Sequence, residues 1–271
     1  MKPEICGVLE YNPMFDDVTI PTKIVFEPSP NYFDNELRED SSKFERLILI
    51  HGLEPPMYNN ISKLIIENYK YFSEIYTSNF DVLSLCENSK NFQFGSCWIL
   101  TNDRGERVET MADYHDYYRF SDKKFKVSFI NSGKSQLSGH HFRNSISSYL
   151  KNSKYEVDII IPNGRIDTKI PLFIDSMFHI AVENSQVYNY FTEKIIDCFM
   201  SRTIPIYWGC PNLGEFFNMD GVILFDSLDD LDNILRNLST ERYNRLIHTI
   251  EDNYNRSRAY AFFYDRLNKI L

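Results

Sequence analysis

The sequence predicts an α/β fold built on parallel sheets. Short apolar runs rich in Ile, Leu and Val alternate with stretches of helical spacing, and several of the runs end in a polar turn. The chain, at 271 residues, is long enough for one large domain or two modest ones.

Residues 1–45 are mixed, with turn chemistry at Glu27-Pro28-Ser29-Pro30-Asn31. Leu47-Ile48-Leu49-Ile50 reads as a buried strand that ends at His51-Gly52 and feeds the loop Leu53-Glu54-Pro55-Pro56. Ile61, Leu64, Ile65, Tyr69 and Phe72 recur at helical spacing, which predicts a helix over 60–75. Asp81 to Leu85 reads as another strand. The charged, aperiodic stretch 101–124 places a domain boundary near 120–125. Beyond it, strands are expected at 125–130, 157–161, 178–182, 203–207 and 222–225. Helices are expected through Leu150, over 193–201, over 228–238 and over 240–271. In such sheets ligands bind beyond the carboxyl ends of strands, so the polar residues after 130, 182 and 207 are the ones to inspect.

Composition narrows the function. With 43% hydrophobic and 25% charged residues the chain is globular rather than disordered. A net charge of −9 with no basic patch argues against nucleic acid as the main partner. The five cysteines are odd in number and lack C-x-x-C spacing, which argues against a disulfide framework and a zinc site and favours a reducing compartment. No apolar run reaches the roughly 18 residues of a membrane span, and the start lacks the apolar stretch of a signal peptide. A cytoplasmic protein is the expectation.

The densest chemistry lies in Phe178 to Asp197, a strand, a polar loop and a helix. Thr192 can cap the helix, Glu193 suits its positive end, and Ile195, Ile196, Phe199 and Met200 mark the buried face. The free N–H groups of the first turn, with Lys194 beside them, suit an anion such as a diphosphate. From spacing alone, a capped helix with a solvated Glu-Lys pair would look the same.

The run Glu183-Asn184-Ser185-Gln186, then Tyr190-Phe191-Thr192-Glu193-Lys194-Ile195-Ile196-Asp197, then Ile204-Pro205-Ile206-Tyr207-Trp208-Gly209 resembles the donor-binding signature of the α1,3-fucosyltransferase family. The close match covers roughly 178–226, with thinner similarity from about 125 and little in the first 120 residues. The resemblance implies a GT-B fold: two Rossmann-like domains facing a cleft, the second binding GDP-fucose and the first helping to bind the acceptor. It implies donor contacts from Asn184, Glu193 and Lys194, with Tyr190 lining the nucleotide pocket. Arg143, in an Arg-Asn pair before a helix, would grip the diphosphate, as a guanidinium can in a bidentate way. Glu54 is the candidate general base, although Pro55 stands where relatives carry Ser.

The expected domains are therefore 1–124 on the acceptor side and 125–250 for the nucleotide sugar. A last segment, 251–271, is expected to pack back on the first domain. The expected activity is inverting transfer of fucose from GDP-fucose to a glycan hydroxyl. No cofactor and no metal are expected. Asp230-Leu231-Asp232 has the D-x-D form of metal-dependent transferases, but acidic residues at a helix start are explained by the dipole. Two alternatives stay open: the same scaffold with another nucleotide sugar, as in xylosyl or exostosin-like transferases, and a non-catalytic nucleotide- or glycan-binding protein.

Overall fold

In the computed structural model the described residues are 1–7, 18–52, 59–100, 108, 123–161 and 169–270. They form two compact units. The first comprises 1–94, 188–190 and 264–271, and the second 95–187 and 191–263.

The first unit is a five-stranded sheet of β1 (Glu4–Gly7), β2 (Thr22–Phe26), β3 (Arg46–His51), β4 (Glu74–Thr77) and β5 (Ser89–Asn91), parallel and in that order. Its crossovers carry helices α1 (Pro30–Asn35) and α2 (Leu37–Lys43), then α3 (Asn59–Asn68), then α4 (Phe80–Leu85). β3 is covered on both faces, and Ile48, Leu49 and Ile50 are fully buried, which is why its sequence is a continuous apolar run rather than an alternating one.

The second unit contains β6 (Lys124–Ile130), α5 (Ser138–Lys151), β7 (Val157–Ile160), α6 (Ile170–Phe173), β8 (Ser176–Val182), α7 (Glu193–Met200), β9 (Ile204–Trp208), β10 (Ile223–Leu224), α8 (Leu228–Arg236), α9 (Thr240–Arg245) and α10 (Ile247–Ala261). A last helix, α11 (Phe263–Asn268), follows. The second sheet runs β10-β9-β8-β6-β7, all parallel. After β6 the chain moves out to β7, then returns to the other side of β6 as β8. The order therefore reverses between β6 and β8, the place where open α/β sheets make a ligand crevice. One apolar cluster joins α7, β9 and α10, and another joins α5, β8 and α8.

Several expectations change in detail. Residues 81–85 are helical: Asn79 caps α4 by accepting from the Val82 N–H, Val82 is buried, and Phe80 and Leu85 are exposed. The helix expected over 60–75 ends at Asn68 and gives way to a single 3-10 turn and then β4. The pattern over 240–271 divides into α9, α10 and α11. β1, β2, β4 and β5 were not expected. The units part at 94/95, ahead of the boundary expected near 120–125. Two bonds tie the chain after Gly95 into the second unit: the Cys97 N–H donates to the Ala261 carbonyl at 2.8 Å, and the Trp98 N–H to the Asp197 carboxylate at 2.7 Å. At the other terminus, residues 264–271 group with the first unit, where Arg266 donates to the Gln93 carbonyl and lies over the Phe92 ring.

Among the described residues no helix is long and apolar enough to cross a membrane, and no group of three His, Cys, Asp or Glu side chains has the spacing of a metal site.

Candidate functional site

Three consecutive residues at the carboxyl end of β8 organise the site. Arg143, reaching across from α5, donates from Nη1 to the Val182 carbonyl and from Nη2 to Asn184 Oδ1 at 2.8 Å. Between those two residues, Glu183 Oε2 lies 3.4 Å from Lys194 Nζ. One short stretch of backbone thus brings an arginine from α5 and a lysine from α7 to the same end of the sheet, at the reversal between β6 and β8.

Arg143 gets there because α5 abuts the β8 turn. The Gly139 N–H donates to the Asn184 carbonyl at 2.9 Å, and a Cβ on Gly139 would sit 1.8 Å from the Glu183 carbonyl oxygen. Only glycine permits that approach. The same first turn is closed by His140, whose Nδ1 accepts from the Leu137 N–H at 3.1 Å. Burial, helped by Arg143, Lys134, Lys194 and His141, pulls the His140 pKa down to about 4, so the ring is neutral.

α7 is built as the sequence suggests and more tightly. Thr192 caps it by accepting from the Lys194 backbone N–H at 3.4 Å; the same hydroxyl donates to Glu183 Oε2 at 2.6 Å and accepts from Lys194 Nζ at 2.9 Å. Glu183 is fully buried and also accepts from the Thr192 N–H at 2.9 Å. Burial raises its pKa, against the pull of Lys194. A Cβ on Gly209, after β9, would meet the Tyr207 hydroxyl at 2.4 Å and Glu183 Cγ at 2.5 Å, so the end of β9 closes on the same carboxylate.

Glu193 points the other way in its electrostatics. Burial would raise its pKa, but Lys194 at 3.3 Å and Lys169 at 3.8 Å outweigh it and hold the carboxyl at about 2. Lys169 also pairs with the buried Asp197 at 2.8 Å and lies over the Trp98 ring. Lys169 and Lys194 are thus paired with Glu183, Glu193 and Asp197, while Arg143 bonds to the neutral Val182 carbonyl and Asn184 amide.

Of the expected site residues, Arg143, Asn184, Glu193 and Lys194 come together in the second unit. Tyr190 is fully buried and, within 188–190, groups with the first unit. Glu54 lies outside the described residues. Asp230 and Asp232 are engaged locally, Asp230 with the Ser227 hydroxyl at 2.7 Å and Asp232 with the Tyr149, Tyr155 and Arg236 side chains. The residues that sequence reasoning passed over are Glu183, Thr192 as a lysine partner, Asp197 and Lys169. Glu183 and Asp197 sit inside the recognised run, and nothing in the sequence singles out Lys169.

Two parallel, helix-covered sheets, with the cationic site at the reversal of the second, define the GT-B class of glycosyltransferase folds. Within it, residues 120–248 match the model of the family described as "Glycosyltransferase family 10 (fucosyltransferase) C-term". The fucosyltransferase resemblance therefore extends over residues 120–248. The α-(1,3)-fucosyltransferase FucT of Helicobacter pylori is 36% identical over 94 residues, which is 34% of this chain. The chain spans about a fifth of that relative's length, 20%. A crystal structure of an α1,3-fucosyltransferase superposes over 84% of this chain and 72% of its own, with a TM-score of 0.51 at 19% identity. Another, an α1,3-fucosyltransferase with GDP-fucose, covers 83% of this chain and 68% of its own, with a TM-score of 0.50 at 19% identity. These structural likenesses are of fold.

Proposed function

We propose that the chain is an inverting, metal-independent glycosyltransferase that moves fucose from GDP-fucose to a glycan hydroxyl. The observation that carries the reading is the convergence of Arg143 and Lys194 on Val182, Glu183 and Asn184. The fucosyltransferase relatives supply the choice of donor.

In this reading the diphosphate sits at the N-termini of α5 and α7, where peptide dipoles and two cations face it. The acceptor hydroxyl attacks the anomeric carbon from the face opposite the nucleotide, so configuration inverts. Glu54 takes the hydroxyl proton as general base. As the glycosidic bond breaks, negative charge grows on the departing diphosphate. Arg143, Lys194 and the helix N–H groups meet it without reorganising, which is where preorganised electrostatics acts most strongly. Their fixed positive charge does the work that a metal ion does in other transferases.

The carboxylates have distinct tasks. Glu183 holds Thr192 and Lys194 in place from within the protein. Glu193, kept ionised by its lysines, accepts hydrogen bonds from ribose or sugar hydroxyls, while Asn184 orients the sugar or phosphate.

Incubation with a panel of GDP- and UDP-sugars plus glycan acceptors tests this. The expected result is GDP release and a fucosylated product from GDP-fucose alone. Turnover of another nucleotide sugar in its place would reassign the donor, and GDP binding without turnover of any sugar would make the protein a binding module.

A further inference from the structure

We propose that His140 is a further contact for the phosphate group of the nucleotide, donating a hydrogen bond from Nε2–H as a neutral ring in a fixed tautomer. The proposal rests on the reading of the β8 end as a diphosphate site.

The tautomer follows from geometry. Nδ1 accepts the Leu137 N–H at 3.1 Å, so Nδ1 carries no proton. A neutral imidazole must then carry it on Nε2. The ring is neutral because burial comes first and Arg143, Lys134, Lys194 and His141 all disfavour a further positive charge. These are also the charged and titratable groups that face it, and two of them are the cations assigned to the phosphate.

The placement is equally constrained. His140 is 5% exposed and lies on the first turn of α5, next to Gly139, whose N–H is tied to Asn184. With Nδ1 turned back to Leu137, Nε2 lies on the opposite side of the ring. Among the described residues it has no hydrogen-bond partner, and it is not sealed from the surface, so a ligand can reach it. An accessible donor held in a fixed direction on a buried ring is free to serve a ligand oxygen. An anion held by Arg143 and Lys194 supplies the acceptor. A neutral donor also adds affinity without adding charge repulsion to the two cations.

The two nitrogens can be tested apart. In His140→Gln the amide nitrogen occupies roughly the place of Nε2, which keeps the donor and gives up the cap. In His140→Asn the amide oxygen occupies roughly the place of Nδ1, which keeps the cap and gives up the donor. Calorimetric titration with GDP, on protein shown to be folded by circular dichroism, should give about a tenfold loss of affinity for His140→Ala and His140→Asn, and a loss of about threefold or less for His140→Gln. If Asn restores affinity and Gln does not, His140 only caps the helix and the proposal is wrong. If all three variants bind GDP as the parent does, the ring makes no contact and the proposal is again wrong. A parent protein that binds no GDP removes the diphosphate reading itself, and this proposal with it. A nitrogen NMR spectrum offers an independent check: the proton must be found on Nε2 and not on Nδ1.

Discussion

Gly139→Ala is the change that should separate the site from the fold most sharply. Intrinsic helix propensity favours the substitution by about 1 kcal/mol. The new methyl carbon, however, would sit 1.8 Å from the Glu183 carbonyl oxygen, 2.8 Å from the Asn184 carbonyl carbon and 2.9 Å from Asn184 Cα. All three are backbone atoms, so no side chain can swing away. Ordinary contact begins near 3.4 Å, so the start of α5 must retreat by about 1.6 Å. That retreat breaks the 2.9 Å bond from the Gly139 N–H to Asn184 and pulls Arg143 from its 2.8 Å bond to Asn184 Oδ1. Overpacking of this kind costs about 1–3 kcal/mol, which exceeds the propensity gain. The net expectation is a modest loss of stability with the fold retained. The affinity for GDP should fall much further, because a displaced guanidinium forfeits a charge-assisted bond of about 1.5–3 kcal/mol, or roughly ten- to a hundredfold in Kd. Thermal denaturation and calorimetric titration with GDP on the same preparation measure both. A variant that melts as expected and binds GDP as tightly as its parent would refute the claim that α5 positions a phosphate-binding arginine.

Arg143→Lys keeps the charge but cannot fork between Val182 and Asn184, so GDP affinity should drop roughly tenfold in the same titration. Glu54→Gln should lower transfer from GDP-fucose by at least about a hundredfold, the general-base contribution, while GDP binding survives; full activity would place the base elsewhere. His179, whose Nδ1 lies 2.8 Å from the Ser128 hydroxyl, has its pKa pulled to about 3 by burial and then by Lys169. Its unfolded value is about 6.5, so the unfolded chain takes the proton first as pH falls. Stability from this group is complete above that value and declines as pH drops through it, by about 2 kcal/mol between pH 7 and pH 5. Urea denaturation across that range should show the decline in the parent and a shallower slope in His179→Gln.

The second unit was largely legible because its local signals agree. β6, β8 and β9 are apolar runs with turns after them, and α7 begins at a capping threonine with an acidic first turn. The proposed donor residues Asn184, Glu193 and Lys194 fall inside that well-patterned stretch. The first unit was less legible for physical reasons. β4 and β5 are four and three residues long, too short for a period to emerge. α4 reads as a strand because Val82, Leu83 and Leu85 form an apolar run broken only by Ser84, and the deciding feature is the Asn79 cap. The long helical pattern ending near Phe72 was overridden by tertiary pairing, since β4 must lie beside β3. Within the site, the sequence reached Arg143 and Lys194 but not the groups that hold them. Lys169 meets Glu193 and Asp197 only through packing of α6 and α7, and the role of Gly139 depends on a backbone approach that no spacing encodes.

A crystal structure of the protein with GDP tests the central claim most directly. The diphosphate oxygens should lie within hydrogen-bond distance of Arg143 and Lys194, at the ends of α5 and α7 that face Glu183 and Asn184. Diphosphate density at any other place, with those two cations still held only by their protein partners, would contradict the account.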